Sequence, residues 1–217
     1  DVKRYNYQFA DLYIIATFPS LHYDINEYPA VKDYLLSFGM ERLEQTGTKH
    51  IIDGIEIKSR KKARNKWFET QDSISYWDDF SKQKIVWGEI SDKTKFALDE
   101  NGDFYCEATT FLMTGSHLKY LLCFLNSKFS EYYFSKIGTT TGVGTVRWKK
   151  FKIETLPVPI ITPETEAVFE QLLNNLLDAS KKNISTIDVE RAIDIEIYNM
   201  LNLEDAEIDF IESFRNI

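Results

Sequence analysis

Between Ser116 and Lys136 the residues Leu118, Leu121, Leu122, Leu125, Phe129, Tyr132 and Tyr133 recur at the spacing that aligns side chains on one face of an α-helix. A stripe this large must be covered, so whatever else the chain forms has to pack against it. Ser116 supplies a hydroxyl suited to capping the start and Gly138 a residue suited to the end, which predicts one helix running to about Lys136.

Upstream of this helix the pattern is mixed. LYIIATF (12–18) is short, apolar and β-rich and reads as a strand, while PAVKDYLLSFGMERLEQT has its apolar residues at helical intervals. KWFETQ and KIVWGEI read as strands around a short helix or turn in SYWDDFSK, and Asn101-Gly102 between FALD and FYCEATTFLM favours a tight hairpin. Downstream, IETLPVPII reads as extended. Thr162-Pro163-Glu164 then combines a capping hydroxyl, proline in the first helical position and an acid in the first turn, a strong helix start. Val168, Leu172, Leu173, Leu176 and Leu177 mark its apolar face. A second helix is expected over about 186–201 and a shorter third through 208–214. The expected fold class is α+β: a mixed, strand-rich body with packed helices over 1–160, followed by a helical C-terminal appendix over 161–217.

Charge follows the same division. The net charge is -8, yet from Ile160 onward thirteen acids face four bases, so the body of the chain is close to neutral. Against that balanced background the cations of two segments stand out. One is GTKHIIDGIEIKSRKKARNKW, a basic loop with Lys58, Arg60, Lys61, Lys62, Arg64 and Lys66. The other is GTTTGVGTVRWKK, where Thr139, Thr140, Thr141 and Gly142 lead into Arg147, Lys149 and Lys150. Local positive charge is what a polyanion responds to. In the second segment glycine permits close backbone approach, threonine hydroxyls donate or accept, and the Arg147 guanidinium has the forked geometry for guanine or phosphate, with the Trp148 ring placed to brace it.

Other chemistries find little support. LYIIATF and LKYLLCFL fall short of the roughly 18 apolar residues a membrane span needs, and no signal peptide is expected. Cys106 and Cys123 match neither a disulfide framework nor a zinc-ligand pair and read as buried thiols of a reducing cytoplasm. His22, His50 and His117 lack acidic or cysteine neighbours at metal-ligand spacing. The glycines of GTTTGVG have no P-loop lysine and follow a helix where that motif follows a strand. Asp53, Glu56 and Lys58 contain a Glu-x-Lys pair of the kind metal-dependent nucleases use, but such a site normally needs a further acid upstream on a neighbouring strand, and the triplet is common by chance. No catalytic or metal-ligating residue is therefore assigned. The chain begins at Asp1 without a methionine and is expected to be part of a longer polypeptide.

The ordered series DVKRYNY, YPAVKDYLLSF, KWFETQDSISYWDDFSKQKIVWGEIS, FALDENGDFYCEATTFLMTG and YLLCFLNSKFSEYYFSKIGTTTGVGTVRWKKFKIETLPVP resembles the TaqI-like C-terminal specificity domains of type II restriction-modification enzymes and adenine-specific DNA methyltransferases. It covers roughly residues 1–160, and its helix, loop and LPVP portion is also similar to type I specificity subunits. The acidic helical tail is less typical. The resemblance implies a cytoplasmic bacterial or archaeal target-recognition domain, not an enzyme by itself, that docks on double-stranded DNA beside an upstream methyltransferase domain. S-adenosylmethionine, and Mg²⁺ where the parent also cleaves, would belong to that catalytic part, with no cofactor in this chain. A different class of function is also open: an interaction module whose acidic C-terminal helices pair with a partner protein.

Overall fold

The computed structural model describes residues 1–72, 74–142 and 144–214; Ser73, Val143 and Arg215, which belong to segments singled out above, lie outside the described residues. Two compact units emerge, one of residues 11–77 and the other of 1–10 with 78–217.

In the smaller unit Pro29 opens α1 (Pro29–Leu36), where its missing N–H leaves no bond unmade, and the chain turns at Gly39 before α2 (Met40–Leu43). β1 (Lys49–Ile52) and β2 (Ile55–Lys58) pair antiparallel. Their turn, Asp53-Gly54, has φ 49° and 77°, the left-handed pair that matches the twist of the flanking strands. The stretch expected to be a basic loop is thus a hairpin as far as Lys58, and its pairing continues loosely through Ser59 N to Thr48 O and Gly47 N to Arg60 O, both 2.9 Å.

Two expected strands do not form. Residues 12–18 have no strand partner, and Leu12, Tyr13 and Ile14 stand largely exposed. The segment is fastened at its end, where Thr17 Oγ1 donates to Phe68 O at 2.6 Å and Thr17 O accepts from Thr70 N at 3.0 Å. β-rich composition without a neighbouring strand to pair with gives no ladder. KWFETQ closes instead into a local turn, with Glu69 Oε2 accepting Lys66 N at 2.7 Å and Glu69 N donating to Lys66 O at 3.0 Å.

The larger unit contains β3 (Lys84–Gly88), β4 (Ile90–Ser91), β5 (Phe96–Asp99) and β6 (Thr110–Met113). β3 lies between β5 and β6, antiparallel to both. Asn101-Gly102 consequently does not join neighbouring strands. Asp99 draws the chain aside: its Oδ1 accepts the N–H groups of Gly102 and Asp103 at 3.1 Å, its Oδ2 accepts that of Phe104 at 3.0 Å, and the carboxylate is paired with the buried Lys84 on β3.

The predicted stripe is the core, but not on one helix. α3 (Leu118–Asn126) begins after His117, one residue beyond Ser116, and α4 (Lys128–Ile137) begins after Ser127, whose Oγ accepts Ser130 N at 3.1 Å. α3 is apolar nearly all round because it packs on β5 and on α6 (Pro163–Lys181). Ile85, Trp87, Phe96 and Leu98 from the sheet, Leu122, Phe124 and Leu125 from α3, and Phe169, Leu173 and Leu176 from α6 share one buried cluster. α6 starts as its sequence demands, with Thr162 Oγ1 accepting Thr165 N at 3.3 Å.

β7 (Thr139–Thr140), β8 (Val146–Arg147) and the short α5 (Lys150–Ile153) follow α4, so the exit expected to be extended opens with a helical turn. α7 (Ile187–Met200) and α8 (Asp205–Ser213) complete the chain and add Ile193, Ile197, Tyr198 and Ile211 to the same cluster. Position 161, where the sequence changes character, lies inside this unit, because the apolar faces beyond it cover α3 and α4. The mixed helices and small antiparallel sheets make the fold α+β, and no helix among the described residues is long and apolar enough to cross a membrane.

Candidate nucleic-acid interface

The Thr/Gly stretch is a built hairpin. β7 pairs with β8, and β8 with β4, bringing Arg147 opposite Thr139 on one side and Ile90 on the other. At the end of the ladder Thr141 N donates to Thr145 O at 3.0 Å and the two hydroxyls meet at 2.5 Å. Trp148 fixes the base of the hairpin: it is buried, stacks on Phe134 at 4.0 Å and 11°, accepts Trp87 Nε1 at 2.8 Å on its carbonyl, and donates its N–H to Glu89 O at 2.6 Å. Its ring therefore faces the core and does not brace Arg147.

Arg147 is braced by Glu89 instead. Nη1 donates to Glu89 Oε1 at 2.7 Å, and Lys149 Nζ lies 3.9 Å from the same oxygen. Sequence reasoning missed Glu89, an acid just past the end of an apolar strand, because its partner is 58 positions away and is set by the pairing of β4 with β8. Thr139, Thr140 and Gly142 are exposed, Thr141 partly so; Lys150 is exposed and sits 3.7 Å from Glu154.

The basic run belongs to the smaller unit. Lys58, at the end of β2, stands opposite Lys49, and Lys58, Lys61, Lys62, Arg64 and Lys66 all reach solvent. Lys61 makes a 3.4 Å contact to the exposed Asp72, and the Lys66 ammonium lies over the Phe68 ring at 5.5 Å. Arg60 differs from its neighbours. Its guanidinium donates to three backbone carbonyls, from Nε to Leu43 O at 2.8 Å, from Nη1 to Glu69 O at 3.0 Å and from Nη2 to Trp67 O, and the surrounding protein lowers its pKa by desolvation. It staples the loop together.

Glu56 of the Glu-x-Lys pair is bound to Lys49 at 2.9 Å on an exposed strand face. His50 and His117 each meet one carboxylate, Glu44 at 2.5 Å and Glu166 at 2.7 Å. Among the described residues no group of three His, Cys, Asp or Glu is placed to hold a metal ion. Cys123 is buried, which pushes its thiol pKa up, and Cys106 is half-buried.

No curated protein matches the chain significantly. A family model, the TaqI-like C-terminal specificity domain, matches residues 24–158. The match takes in more than half of the chain, including the basic run, the Thr/Gly hairpin and Glu89, and ends before α6. Such a domain is the non-catalytic part and implies DNA recognition in restriction-modification. The chain belongs to the family of TaqI-like C-terminal specificity domains.

Proposed function

We propose that this chain recognises a specific sequence in double-stranded DNA and thereby positions an upstream adenine-specific methyltransferase domain, which in some parents also cleaves, in the cytoplasm of a bacterium or archaeon. The observation that supports this most is the presence, inside the matched 24–158, of two basic elements of opposite mechanical character. Lys58, Lys61, Lys62, Arg64 and Lys66 are exposed on irregular or strand-end backbone and suit phosphates, which supply affinity without sequence information. Thr139, Thr140, Thr141, Gly142, Arg147, Lys149 and Lys150 are carried by or beside a hairpin fixed at its base, and suit base edges, which need a fixed geometry. Recognition in this reading rests with residues 1–160, and the helices beyond support that part from within.

S-adenosylmethionine and any catalytic Mg²⁺ are assigned to the upstream domain. The rival reading, a partner protein held by the acidic helices, is less supported because Phe169, Leu173, Leu176, Ile193, Ile197 and Ile211 are spent inside the chain.

The test is a titration of the chain against a randomised duplex library at rising salt, followed by sequencing of the retained duplexes. Binding that weakens steeply with salt, together with an enriched motif, supports the proposal. Absence of any retained duplex at low salt refutes it.

A further inference from the structure

We propose that Glu89 is a specificity-determining residue: it positions Arg147 for a base edge and keeps phosphates away from the cations of the hairpin. This rests on the DNA-recognition reading above. An arginine beside a lysine on an exposed hairpin would seat a phosphate as readily as a guanine, because both offer acceptors to a guanidinium fork. Here the fork is not loose. Glu89 Oε1 holds Arg147 Nη1 at 2.7 Å and lies 3.9 Å from Lys149 Nζ.

The backbone that carries Glu89 is fixed, its N–H donating to Thr109 O at 3.0 Å and its carbonyl accepting from Trp148 N at 2.6 Å. Two consequences follow from one carboxylate in that place. The guanidinium is restrained through Nη1, and among the described residues its other N–H groups are left to donate. The local charge of two cations is reduced by an anion that repels a phosphate, whereas the O6 and N7 acceptors of guanine carry no formal charge and are not repelled in that way. Discrimination between a neutral base edge and an anionic backbone is then built in by an unfavourable element as well as a favourable one.

Glu89→Gln separates the two effects, since the amide oxygen can still accept from Arg147 while the charge is gone; Glu89→Ala removes both. With the 217-residue chain, Glu89→Gln is expected to raise affinity for random duplex about three- to tenfold and to steepen its salt dependence by about one unit of slope. Its enriched motif should weaken correspondingly. Glu89→Ala should in addition lose about tenfold on the wild-type motif, within the range one bidentate base contact is worth.

The readout that a merely structural role would not move is coupling. In an Arg147→Ala background, Glu89→Gln should leave motif preference where Arg147→Ala alone puts it. Random-duplex affinity and motif preference both unchanged in Glu89→Gln overturn the proposal. A wild-type chain that enriches a motif which Arg147→Ala retains also overturns it while leaving DNA recognition standing. A wild-type chain that enriches nothing removes the recognition reading first and this proposal with it.

Discussion

Asn126 hydrogen-bonds both backbone polar groups of Phe96: its Nδ2 donates to Phe96 O at 2.9 Å and its Oδ1 accepts Phe96 N at 3.1 Å. β5 is an edge strand, and the buried side-chain amide at the end of α3, together with Tyr5 N donating to the same Phe96 O at 2.8 Å, does there what the peptide group of a neighbouring strand would do. One residue thereby ends a helix, closes a sheet edge and fixes the distance between the two.

Asn126→Asp should be far worse than its small change in shape suggests. A carboxylate oxygen would replace Nδ2 opposite the Phe96 carbonyl, leaving two acceptors face to face and a buried charge. A loss of about 2–4 kcal/mol is expected, against about 1–3 kcal/mol for Asn126→Ala, which leaves Phe96 N without this partner. Chemical denaturation at neutral pH measures both, and equal stabilities for Asp and Asn would contradict the assignment of the amide.

Arg60 and Lys62 look interchangeable in the sequence and should behave differently. Arg60→Ala removes a donor from three carbonyls, of which Glu69 O keeps Gln45 Nε2 at 2.7 Å, so it should lower the stability of the smaller unit by about 1–3 kcal/mol. Lys62 is exposed, and Lys62→Ala should leave stability nearly unchanged while flattening the salt dependence of duplex binding by about one unit of slope. Thermal unfolding and salt titration of the two variants give the comparison, and an Arg60→Ala chain of unaltered stability would show that the stapling is unimportant.

Asp194 on α7 accepts Lys128 N at 2.9 Å and so caps α4 from a different helix. Burial pushes its carboxyl up to about 6 despite the opposing pull of Lys128 N–H, Arg4 and Lys128. A group raised in the folded state contributes stability below its unfolded pKa, near 4, and that contribution is lost as pH rises through about 6. Asp194→Asn keeps an acceptor for Lys128 N and no longer titrates. Its stability profile should be flatter between about pH 4 and 6, and at pH 7 it should equal or exceed the parent by up to about 3 kcal/mol, the size of the shift. Denaturant melts across that range decide it, and an undiminished slope in the variant would place the titration elsewhere.

What the sequence discloses and what it hides divide along local and distant causes. The α6 start at Thr162-Pro163-Glu164 was legible because cap, proline and acid act within one turn. The apolar stripe was legible as core, but the break at Ser127 was not, since it depends on Asn126 finding Phe96 thirty positions upstream. LYIIATF carries every local mark of a strand and enters no ladder among the described residues. Arg60 sits in a row of cations that only tertiary carbonyls distinguish, and Glu89 acquires its role from pairing across 58 positions. Composition marks the Thr/Gly stretch as a candidate, while its anchoring to β4 and Trp148 depends on pairing that composition does not reveal.

Gly138 tests whether that anchoring matters for recognition. Its backbone, at φ −70° and ψ 164°, is ordinary for any residue, so the cost of a side chain there is purely steric. A Cβ would lie 2.7 Å from Val146 Cγ1, 2.8 Å from Phe134 O and 2.9 Å from Phe134 Cε1, closer than packed atoms tolerate. Phe134 is buried under Trp148, and Val146 is on β8, so the strand is the element free to yield. Gly138→Ala should therefore cost about 1–3 kcal/mol of stability, typical of overpacking, and should move β8 and with it Arg147. Near-ultraviolet circular dichroism should show a weakened Phe134–Trp148 stack. Affinity for random duplex, carried mainly by the smaller unit, should stay close to that of the parent, while motif preference falls. If preference survives in a chain whose aromatic signal has changed, the hairpin does not read the base, and the specificity contacts belong to the exposed cations between Lys58 and Lys66.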